Sequence, residues 1–339
     1  MSKHQATIKE IALALNVSVS TVSRALQDDP RIGLRTKMRV SEMAKALHYI
    51  PNPAAKSLRK QSSLTIGVIL PQLREEFFSL AITGIEDAFE GKGYNIFITQ
   101  SRDKYEREIK ATRYFLQSRV DGILVSISAE TTDYQHFREL QEFDVPVVFF
   151  DRVPNNMPVH CVRSNVEDGV LKAMGYLAEK KLHKIALLNG PKTLGISQER
   201  LKGYLAALKE FNFEAIPGYI KYTDLSREDI AAKMQELWTQ TEERPEAVLA
   251  FNDYVALGAI KWCRNNGIKP NEDLYFVSFA NLPITDYLDH PPAASLEQYA
   301  YQMGQNAANL MIELLEQPNS TVPRPFKEII MDTELVIHI

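Results

Sequence analysis

Residues 7–26 read TIKEIALALNVSVSTVSRAL, and the ends of two short helices can be located within them. Thr7 and Glu10 have the spacing of a capping box, so a first helix is predicted to begin here. Asn16 is predicted to end that helix, and Ser18 to cap a second one after a tight polar turn. The apolar stripe of the first helix comprises Ile8, Ile11, Ala12 and Leu15. The stretch therefore predicts two helices joined by a tight turn.

The second predicted helix has one apolar side and one polar side. The apolar side comprises Val22, Ala25 and Leu26. On the other side, Val19, Ser20 and Arg24 suit the major groove of DNA, where arginine binds guanine O6 and N7 and apolar groups meet thymine methyls. The alternative is that these residues are the solvent-facing side of an ordinary helical bundle. We favour DNA recognition because the caps, the turn and the charge agree.

A basic segment punctuated by proline, PNPAAKSLRK, occupies residues 51–60. Asn52 followed by Pro53 is typical of an N-cap and a first helical position, so about two helical turns are predicted. A helix this short is marginal alone, and we expect it to fold only against a second copy and a DNA surface. Leu58 lies among basic residues and has no evident core to join. The alternative is a plain flexible linker, which composition alone favours.

The segments SVSTVSRAL at 18–26 and LHYIPNPAAKSL at 47–58 closely resemble the LacI family of bacterial transcriptional regulators, and the resemblance continues through the whole chain. It implies an N-terminal all-α helix-turn-helix domain with a hinge helix, followed by an α/β two-lobe effector domain like the periplasmic binding proteins, with parallel sheets. It also implies that Leu58 wedges into the minor groove and kinks the duplex. The DNA-contacting residues that it implies are Thr7, Ser18, Val19, Ser20, Thr21, Ser23, Arg24, Asn52, Ala55, Lys56 and Leu58.

The sequence departs from the family pattern ahead of the third helix. Ile32 and Gly33 stand where the family commonly has valine and serine. Glycine can still occupy an N-cap position, but it caps more weakly than serine because it has no side-chain acceptor.

Charge is unevenly distributed along the 339 residues, whose net charge is −4. Residues 1–63 hold 11 Lys/Arg and 4 Asp/Glu, a balance of +7, whereas the remainder holds 28 Lys/Arg and 39 Asp/Glu, a balance of −11. The basic N-terminal part is therefore the expected nucleic-acid end. A composition of 45% hydrophobic and 24% charged residues is that of an ordinary globular protein with two or three domains.

Several classes of protein are disfavoured by what the sequence lacks. The N-terminus has no hydrophobic signal core, and no apolar run approaches the roughly 20 residues of a membrane helix, so we expect a cytoplasmic protein without a membrane partner. We find no GxSxG, HExxH, phosphate-loop or dinucleotide motif, and predict no enzyme, cofactor or metal. Cys161 and Cys263 lie in apolar contexts and are predicted to be buried free thiols.

From residue 64 the chain alternates continuous apolar runs with amphipathic helices, which predicts buried parallel strands in two lobes. The predicted strands are LTIGVILP (64–71), YNIFIT (94–99), GILVSI (122–127), VPVVFFD (145–151), KIALLNG (184–190), IPGYIKY (216–222), AVLAFND (247–253) and LYFVSFA (274–280). We predict a DNA-binding domain over 1–50, a hinge over 51–63, and an effector and dimerisation domain over 64–339. Lobe one is expected to comprise about 64–162 plus 292–322, and lobe two about 163–291 plus 323–339.

Ligands of open parallel sheets lie at the carboxyl ends of the strands, so residues that follow the strands are predicted to line a crevice between the lobes. Aromatic faces together with planar amide, carboxylate and guanidinium groups suit a polyhydroxylated ligand. For any single residue, an ordinary structural role is the alternative. The candidates are Gln72, Phe77, Phe78, Ser126, Ser128, Asp151, Arg152, Ser197, Arg200, Asn252, Asp253, Asn281 and Gln298.

The family resemblance carries over most securely to Arg200, Asn252 and Gln298. The aspartate that the family uses for its effector after the eighth strand is replaced by Ala280, and Asn281 is the candidate substitute. Glu75 and Glu76 stand where the family often has asparagine and proline. Their carboxylates predict a more acidic mouth that disfavours phosphorylated ligands.

We therefore expect a ligand-responsive repressor that binds double-stranded operator DNA and is released by a small carbohydrate effector. One helix-turn-helix reads only a few base pairs, so a homodimer on a near-palindromic operator is predicted. The competing hypothesis is a solute-binding protein for sugar uptake without DNA function. It requires export and gives no role to residues 7–26.

Overall fold

The chain separates into two compact units, Met1–Ser63 and Leu64–Ile339. The computed structural model describes residues 6–49, 62–241, 243–316 and 325–339. The predicted hinge residues Asn52, Ala55, Lys56 and Leu58 lie outside these ranges, so the hinge helix and its wedge stay predictions.

The N-terminal unit contains three described helices, α1 (Ile8–Leu15), α2 (Val19–Leu26) and α3 (Leu34–Ala46). The predicted capping box is present, since the Thr7 side chain accepts from the Glu10 amide and Glu10 Oε2 accepts from the Thr7 amide at 2.6 Å. Asn16 ends α1 in the left-handed conformation with φ 51°, and Ser18 caps α2. The predicted helix-turn-helix is therefore confirmed. Its buried core comprises Ile11, Ala12, Val22, Ala25, Val40 and Ala44.

The larger unit alternates strands and helices along the chain. Its strands are β1 (Thr65–Leu70), β2 (Asn95–Gln100), β3 (Gly122–Val125), β4 (Val147–Phe150), β5 (His160–Ser164), β6 (Ile185–Asn189), β7 (Ile220–Tyr222), β8 (Ala247–Ala250), β9 (Tyr275–Ala280), β10 (Ala294–Glu297), β11 (Glu328–Met331) and β12 (Glu334–Ile337). Its helices are α4 (Glu76–Phe89), α5 (Tyr105–Gln117), α6 (Gln135–Glu142), α7 (Val166–Glu179), α8 (Gly195–Glu210), α9 (Arg227–Thr239), α10 (Asp253–Asn265) and α11 (Ala300–Glu316). A short 3₁₀ helix covers Pro283–Tyr287.

These strands form two six-stranded sheets, one in each lobe. The first has the order β11-β5-β4-β3-β1-β2 and the second β12-β10-β9-β8-β6-β7. Among the described strands, β10 and β12 pair antiparallel and the other pairs are parallel, with Ile66 of β1 beside Ile96 of β2 and Gly122 of β3. The predicted α/β two-lobe architecture with parallel sheets is confirmed.

The burial of apolar side chains explains why the strands and helices of both lobes pack as they do. The central strands β3, β4 and β8 are buried along their whole length, which is why they read as continuous apolar runs. Helices α4 and α11 approach closely over the first sheet through Gly84 and Gly304. A Cβ atom at Gly304 would lie 1.9 Å from the carbonyl oxygen of Ala81, so a larger residue cannot be accommodated there without separating the helices.

The structure differs from the predicted lobe boundaries near the C-terminus. Strand β10 pairs with β9 and belongs to the second sheet, whereas the sequence predicts residues 292–322 in lobe one. Strand β11 pairs with β5 in the first sheet, whereas the sequence predicts residues 323–339 in lobe two. Strand β11 alternates exposed and half-buried positions and β10 ends in Glu297, so neither lies in a continuous apolar run like those of the eight predicted strands.

Cys161 and Cys263 are both buried free thiols, as predicted. Burial raises the pKa of the Cys263 thiol to about 12, so it stays protonated and packs as a small apolar group. Within the described ranges, no helix has the combination of length and apolar character that crossing a bilayer requires.

Candidate functional site

The outward side of α2 presents short polar groups around one arginine. Val19 is 41% exposed, and Ser20 and Arg24 are also exposed. The Ser18 hydroxyl is 2.8 Å from the hydroxyls of both Ser20 and Thr21 and accepts from the Thr21 amide at 3.1 Å. A cluster of hydroxyls at the positive end of a helix is suited to phosphate oxygens, while Arg24 one turn further along can reach base edges.

The remaining predicted DNA contacts of this unit are less exposed or engaged locally. Thr7 is exposed, but its hydroxyl takes part in the capping box of α1. Thr21 and Ser23 are half-buried on the flanks of α2. The turn that follows α2 is held by Lys37, whose ammonium donates to Asp28 Oδ1 at 2.7 Å.

In the larger unit, the carboxyl ends of strands from both lobes surround a small cavity that is partly open to solvent. Its wall combines ionic and amide groups with aromatic and aliphatic ones, as small-molecule sites usually do. The lining residues are Glu75, Phe77, Phe78, Asp151, Arg152, Ile196, Arg200, Phe251, Asn252, Tyr254, Ala280, Leu282 and Gln298.

Arg200 is the most unusual group in this wall. It is 2% exposed, and its guanidinium carbon lies 4.2 Å and 4.1 Å from the ring centroids of Phe251 and Phe279. Neither Nε nor Nη1 finds a hydrogen-bond partner among the described residues. Burial lowers the pKa of this guanidinium to about 9. Unmet donors on a buried cation are destabilising, so the group is poised to bind an acceptor that enters the cavity.

Asp151 supplies an acceptor from the opposite lobe. It follows β4 with φ 59°, and Ser126 Oγ donates to its Oδ2 at 3.4 Å. Burial raises the pKa of this carboxyl group. Because its contacts with Ser126 and with Arg152 Nε at 3.9 Å are long, the carboxylate retains capacity to accept a ligand hydroxyl.

Arg152, next to it, is in contrast firmly paired. Its Nη1 donates to Asp103 Oδ1 at 2.6 Å, and its guanidinium lies over the Phe78 ring at 5.7 Å. Asp103 also accepts from Gln72 Nε2 at 3.2 Å and from the Ala129 amide at 3.0 Å. Sequence reasoning missed Asp103 because it lies in a loop ahead of α5 and not directly at a strand end.

The structure places Gln72, Ser126 and Ser197 behind the cavity wall. Gln72 binds Asp103, and Ser126 binds Asp151, so both support charged residues and do not face the ligand space. Ser197 is fully buried, and its hydroxyl has no partner within the described part of the chain. Ser128 is buried as well, with its amide and hydroxyl donating to Glu108 Oε2 at 2.6 Å and 2.8 Å.

Two further predicted residues, Asp253 and Asn281, are also held away from the cavity. The buried Asp253 carboxylate accepts from the hydroxyls of Ser278 and Ser295 and from the Leu282 amide. Asn281 Nδ2 donates to Glu297 Oε2 at 2.8 Å. Asn281 does not line the cavity in this structure, and its role as a substitute for the aspartate missing at position 280 stays a prediction.

The other seven predicted residues do line the cavity: Phe77, Phe78, Asp151, Arg152, Arg200, Asn252 and Gln298. Asn252 caps α10 through the Val255 amide at 2.9 Å, and Gln298 Nε2 donates to Ser164 Oγ at 3.2 Å. Whether they bind a ligand stays a prediction.

The lining residues that sequence reasoning missed are mainly apolar. They are Ile196, Phe251, Tyr254, Ala280 and Leu282. Each lies directly beside a predicted polar residue in the sequence. The sequence therefore predicts the correct loops, but it does not predict which residue of each loop faces the cavity. Glu75, predicted to make the mouth acidic, also lines the cavity, and burial raises the pKa of its carboxyl group.

Both units match protein-family models. Residues 7–52 match a model described as bacterial regulatory proteins, lacI family. Residues 63–329 match a model described as periplasmic binding proteins and sugar binding domain of LacI family.

Individual proteins are similar along nearly the whole chain. The ribose operon repressor of Bacillus subtilis (strain 168) is 32% identical over 314 residues, covering 92% of each protein. The transcriptional repressor CytR of Escherichia coli (strain K12) is 30% identical over 333 residues, covering 98% of this chain and 95% of the relative. A Lac repressor dimer bound to operator and the anti-inducer ONPF has the same fold, with a TM-score of 0.84 at 24% identity and 98% coverage of each chain.

Proposed function

The chain belongs to the LacI family of bacterial regulatory proteins, and on this premise we propose that it is a repressor whose operator affinity is set by a small polyhydroxylated effector in the cavity of the larger unit. The effector is proposed to be a carbohydrate that relieves repression. The protein acts in this proposal as a cytoplasmic homodimer on a near-palindromic operator, and it catalyses no reaction.

The pairing of Arg200 with Asp151 across the cavity carries the effector assignment. Arg200 offers unpaired N–H donors from one lobe, while Asp151 offers carboxylate oxygens from the other. A ligand hydroxyl both donates and accepts, so a molecule with several hydroxyls can satisfy both groups at once. Such a ligand binds better when the lobes are closed, and this difference in affinity is what a conformational response requires.

The DNA assignment depends on the outward side of α2. Arg24 is proposed to read a guanine, with Val19 and Ser20 beside it and the hydroxyls of Ser18 and Thr21 on phosphates. The exported solute-binding alternative gives this surface no role, and residues 7–52 match a regulatory-protein model.

DNA binding can be tested by selecting the preferred duplex from a random pool and measuring its affinity by fluorescence anisotropy at several salt concentrations. Arg24→Ala should weaken binding to the selected duplex by about 1–3 kcal/mol and relax the base preference at one position of the site. Arg39→Ala, which removes an exposed arginine from α3, is the control that leaves base preference unchanged. Equal affinity for selected and scrambled duplexes would refute the regulator proposal.

Effector binding can be tested by a thermal-shift screen of mono- and disaccharides on the full-length protein. A ligand at about 100 times its Kd stabilises the folded state by about 2.7 kcal/mol. Arg200→Met should abolish the shift given by any active sugar. If purines or amino acids shift the melting temperature and no sugar does, the carbohydrate assignment is wrong.

A further inference from the structure

We infer that the effector carries a protonated amino group that binds the Glu75 carboxylate, so that the cavity selects an amino sugar over the neutral sugar of the same skeleton. This assignment rests on the proposed function, because it takes a carbohydrate to be the ligand of the cavity. Glu75 is then the residue that distinguishes the effector from neutral sugars.

Glu75 stands at the N-cap of α4, but its side chain does not cap that helix. The free amides of a first helical turn are natural partners for a side-chain acceptor at this position. Glu75 lines the cavity instead. Arg152 is the cation that acts on it most strongly, but that guanidinium already donates to Asp103 Oδ1 at 2.6 Å. The Glu75 carboxylate is therefore available to a group that enters the cavity.

The charges around the cavity do not balance. Arg152 and Asp103 neutralise each other as an ion pair. The other charged residues of the lining are Glu75, Asp151 and Arg200, which leaves two carboxylates against one guanidinium. A neutral sugar leaves the excess negative charge in place, whereas a ligand with one ammonium group balances it. Because a charge removed from water without a counter-ion is unfavourable, the ligand that bears the ammonium group binds more tightly.

Burial of these carboxylates makes the imbalance more costly. Loss of hydration raises the pKa of the Glu75 carboxyl group, and the negative charges of Asp103 and Asp151 add to that rise against the lowering effect of Arg152. Burial also raises the pKa of the Asp151 carboxyl group. An ammonium group in contact with a carboxylate favours its ionised form and donates a charge-assisted hydrogen bond to it. A cationic ligand therefore offsets the cost of burying Glu75.

Of the two carboxylates in the lining, Glu75 is the less compensated. Asp151 is attracted by both Arg152 and Arg200. Glu75 is attracted by Arg152, which is already paired, and by Arg74, which is exposed. An ammonium group has donors only, so it cannot bind the N–H groups of Arg200. The amino group of the ligand is thus assigned to Glu75, and its hydroxyls to Arg200 and Asp151.

Calorimetric titration of the full-length protein with matched sets of three sugars tests this assignment. The sets are D-glucosamine with D-glucose and N-acetyl-D-glucosamine, and the corresponding sugars of the galactose and mannose series. Just below neutral pH the free amino group is protonated, whereas the N-acetyl sugar keeps the nitrogen without its charge. We expect the amino member of at least one set to bind at least ~10-fold more tightly than both uncharged members.

Glu75→Gln should remove this preference, because it keeps the size of the side chain and removes its charge. The amino sugar should then bind about as weakly as its neutral parent, while the affinity of the parent stays the same and shows that the variant is folded. Glu76→Gln is the matched control, since it removes the neighbouring carboxylate, which is outside the cavity lining, and it should keep the preference.

The results that overturn the assignment are distinguishable. A neutral sugar that binds as tightly as its amino partner, or more tightly, contradicts the amino-group assignment and leaves the carbohydrate proposal intact. A preference for the amino sugar that survives Glu75→Gln shows that another residue binds the ammonium group. Failure of all nine sugars to bind contradicts both the assignment and the carbohydrate proposal.

Discussion

Arg200 and Arg152 show how two buried arginines in one cavity acquire different roles. Arg200 is 2% exposed and Arg152 is 5% exposed. Arg152 is neutralised by Asp103 at 2.6 Å, whereas Arg200 is covered by two aromatic faces and keeps N–H groups that have no partner among the described residues. An isolated buried charge lowers stability, which makes Arg200 a binding group and Arg152 a structural one.

We predict that Arg200→Met leaves the free energy of unfolding unchanged or raises it by up to about 2 kcal/mol, because unsatisfied donors are replaced by an apolar side chain of similar length. Effector affinity should fall by about 100-fold or more. Urea denaturation and calorimetry measure the two quantities. A marked loss of stability would show that Arg200 holds the fold together.

We predict the opposite for Arg152→Met. Removing this guanidinium leaves the Asp103 carboxylate without its strongest partner, and the free energy of unfolding should fall by about 3 kcal/mol. The double variant Asp103→Asn with Arg152→Met should recover part of that loss. If the single variant unfolds at the same urea concentration as the unaltered protein, the pair is not stabilising.

The capping residues explain where the helices of the N-terminal unit begin. Helices α1 and α2 each have a side-chain cap at the N-terminus, whereas the N-cap of α3 is Gly33, which provides none. At that residue φ is −62° and ψ 146°, and no described heavy atom beyond Gly33 and its two chain neighbours lies within 4 Å of the place where a Cβ would stand.

Gly33→Ser should therefore stabilise the N-terminal unit by about 0.5–1 kcal/mol, since it adds a cap and restricts the unfolded chain. Hydrogen exchange of the α3 amides in the full-length protein measures this change. Gly33→Ala is the matched control, and it should give only the part of the stabilisation that comes from restricting the unfolded chain. Equal protection in the serine and alanine variants would mean that no capping bond forms.

At the level of the whole protein, regulation requires the effector cavity to influence a DNA-reading surface that belongs to a different unit. Residues 51–63 connect the two, and one hinge from each subunit of a dimer is proposed to form on the operator. The effector would then act by changing how readily these segments fold together.

Leu58→Ala tests this coupling. We expect it to weaken operator binding by about tenfold or more, because the minor-groove wedge is lost, while the melting temperature of the free protein changes little. Ser57→Ala, one residue earlier in the same predicted helix, is the control and should bind nearly normally. Operator affinity that is equal in the leucine variant and the unaltered protein would contradict the wedge.

The helix-turn-helix and the succession of apolar strands could be predicted from sequence because their causes are local. Thr7 and Glu10 cap the same turn, Ser18 caps the helix that it precedes, and a strand such as β3 is apolar because both its faces are covered. Each signal is complete within a few residues, so no knowledge of distant contacts was needed.

The cavity wall was decided by contacts between residues far apart in the chain. Asp253 and Asn281 follow strands and have suitable chemistry, but Ser278, Ser295 and Glu297 claim their polar atoms, and only the folded chain brings those partners together. The same holds for strands β10 and β11, whose lobe is decided by their pairing with β9 and β5 in the folded chain. Short-range rules set which loops reach the cavity, whereas competition for hydrogen-bond partners in the folded state set which side chains face it.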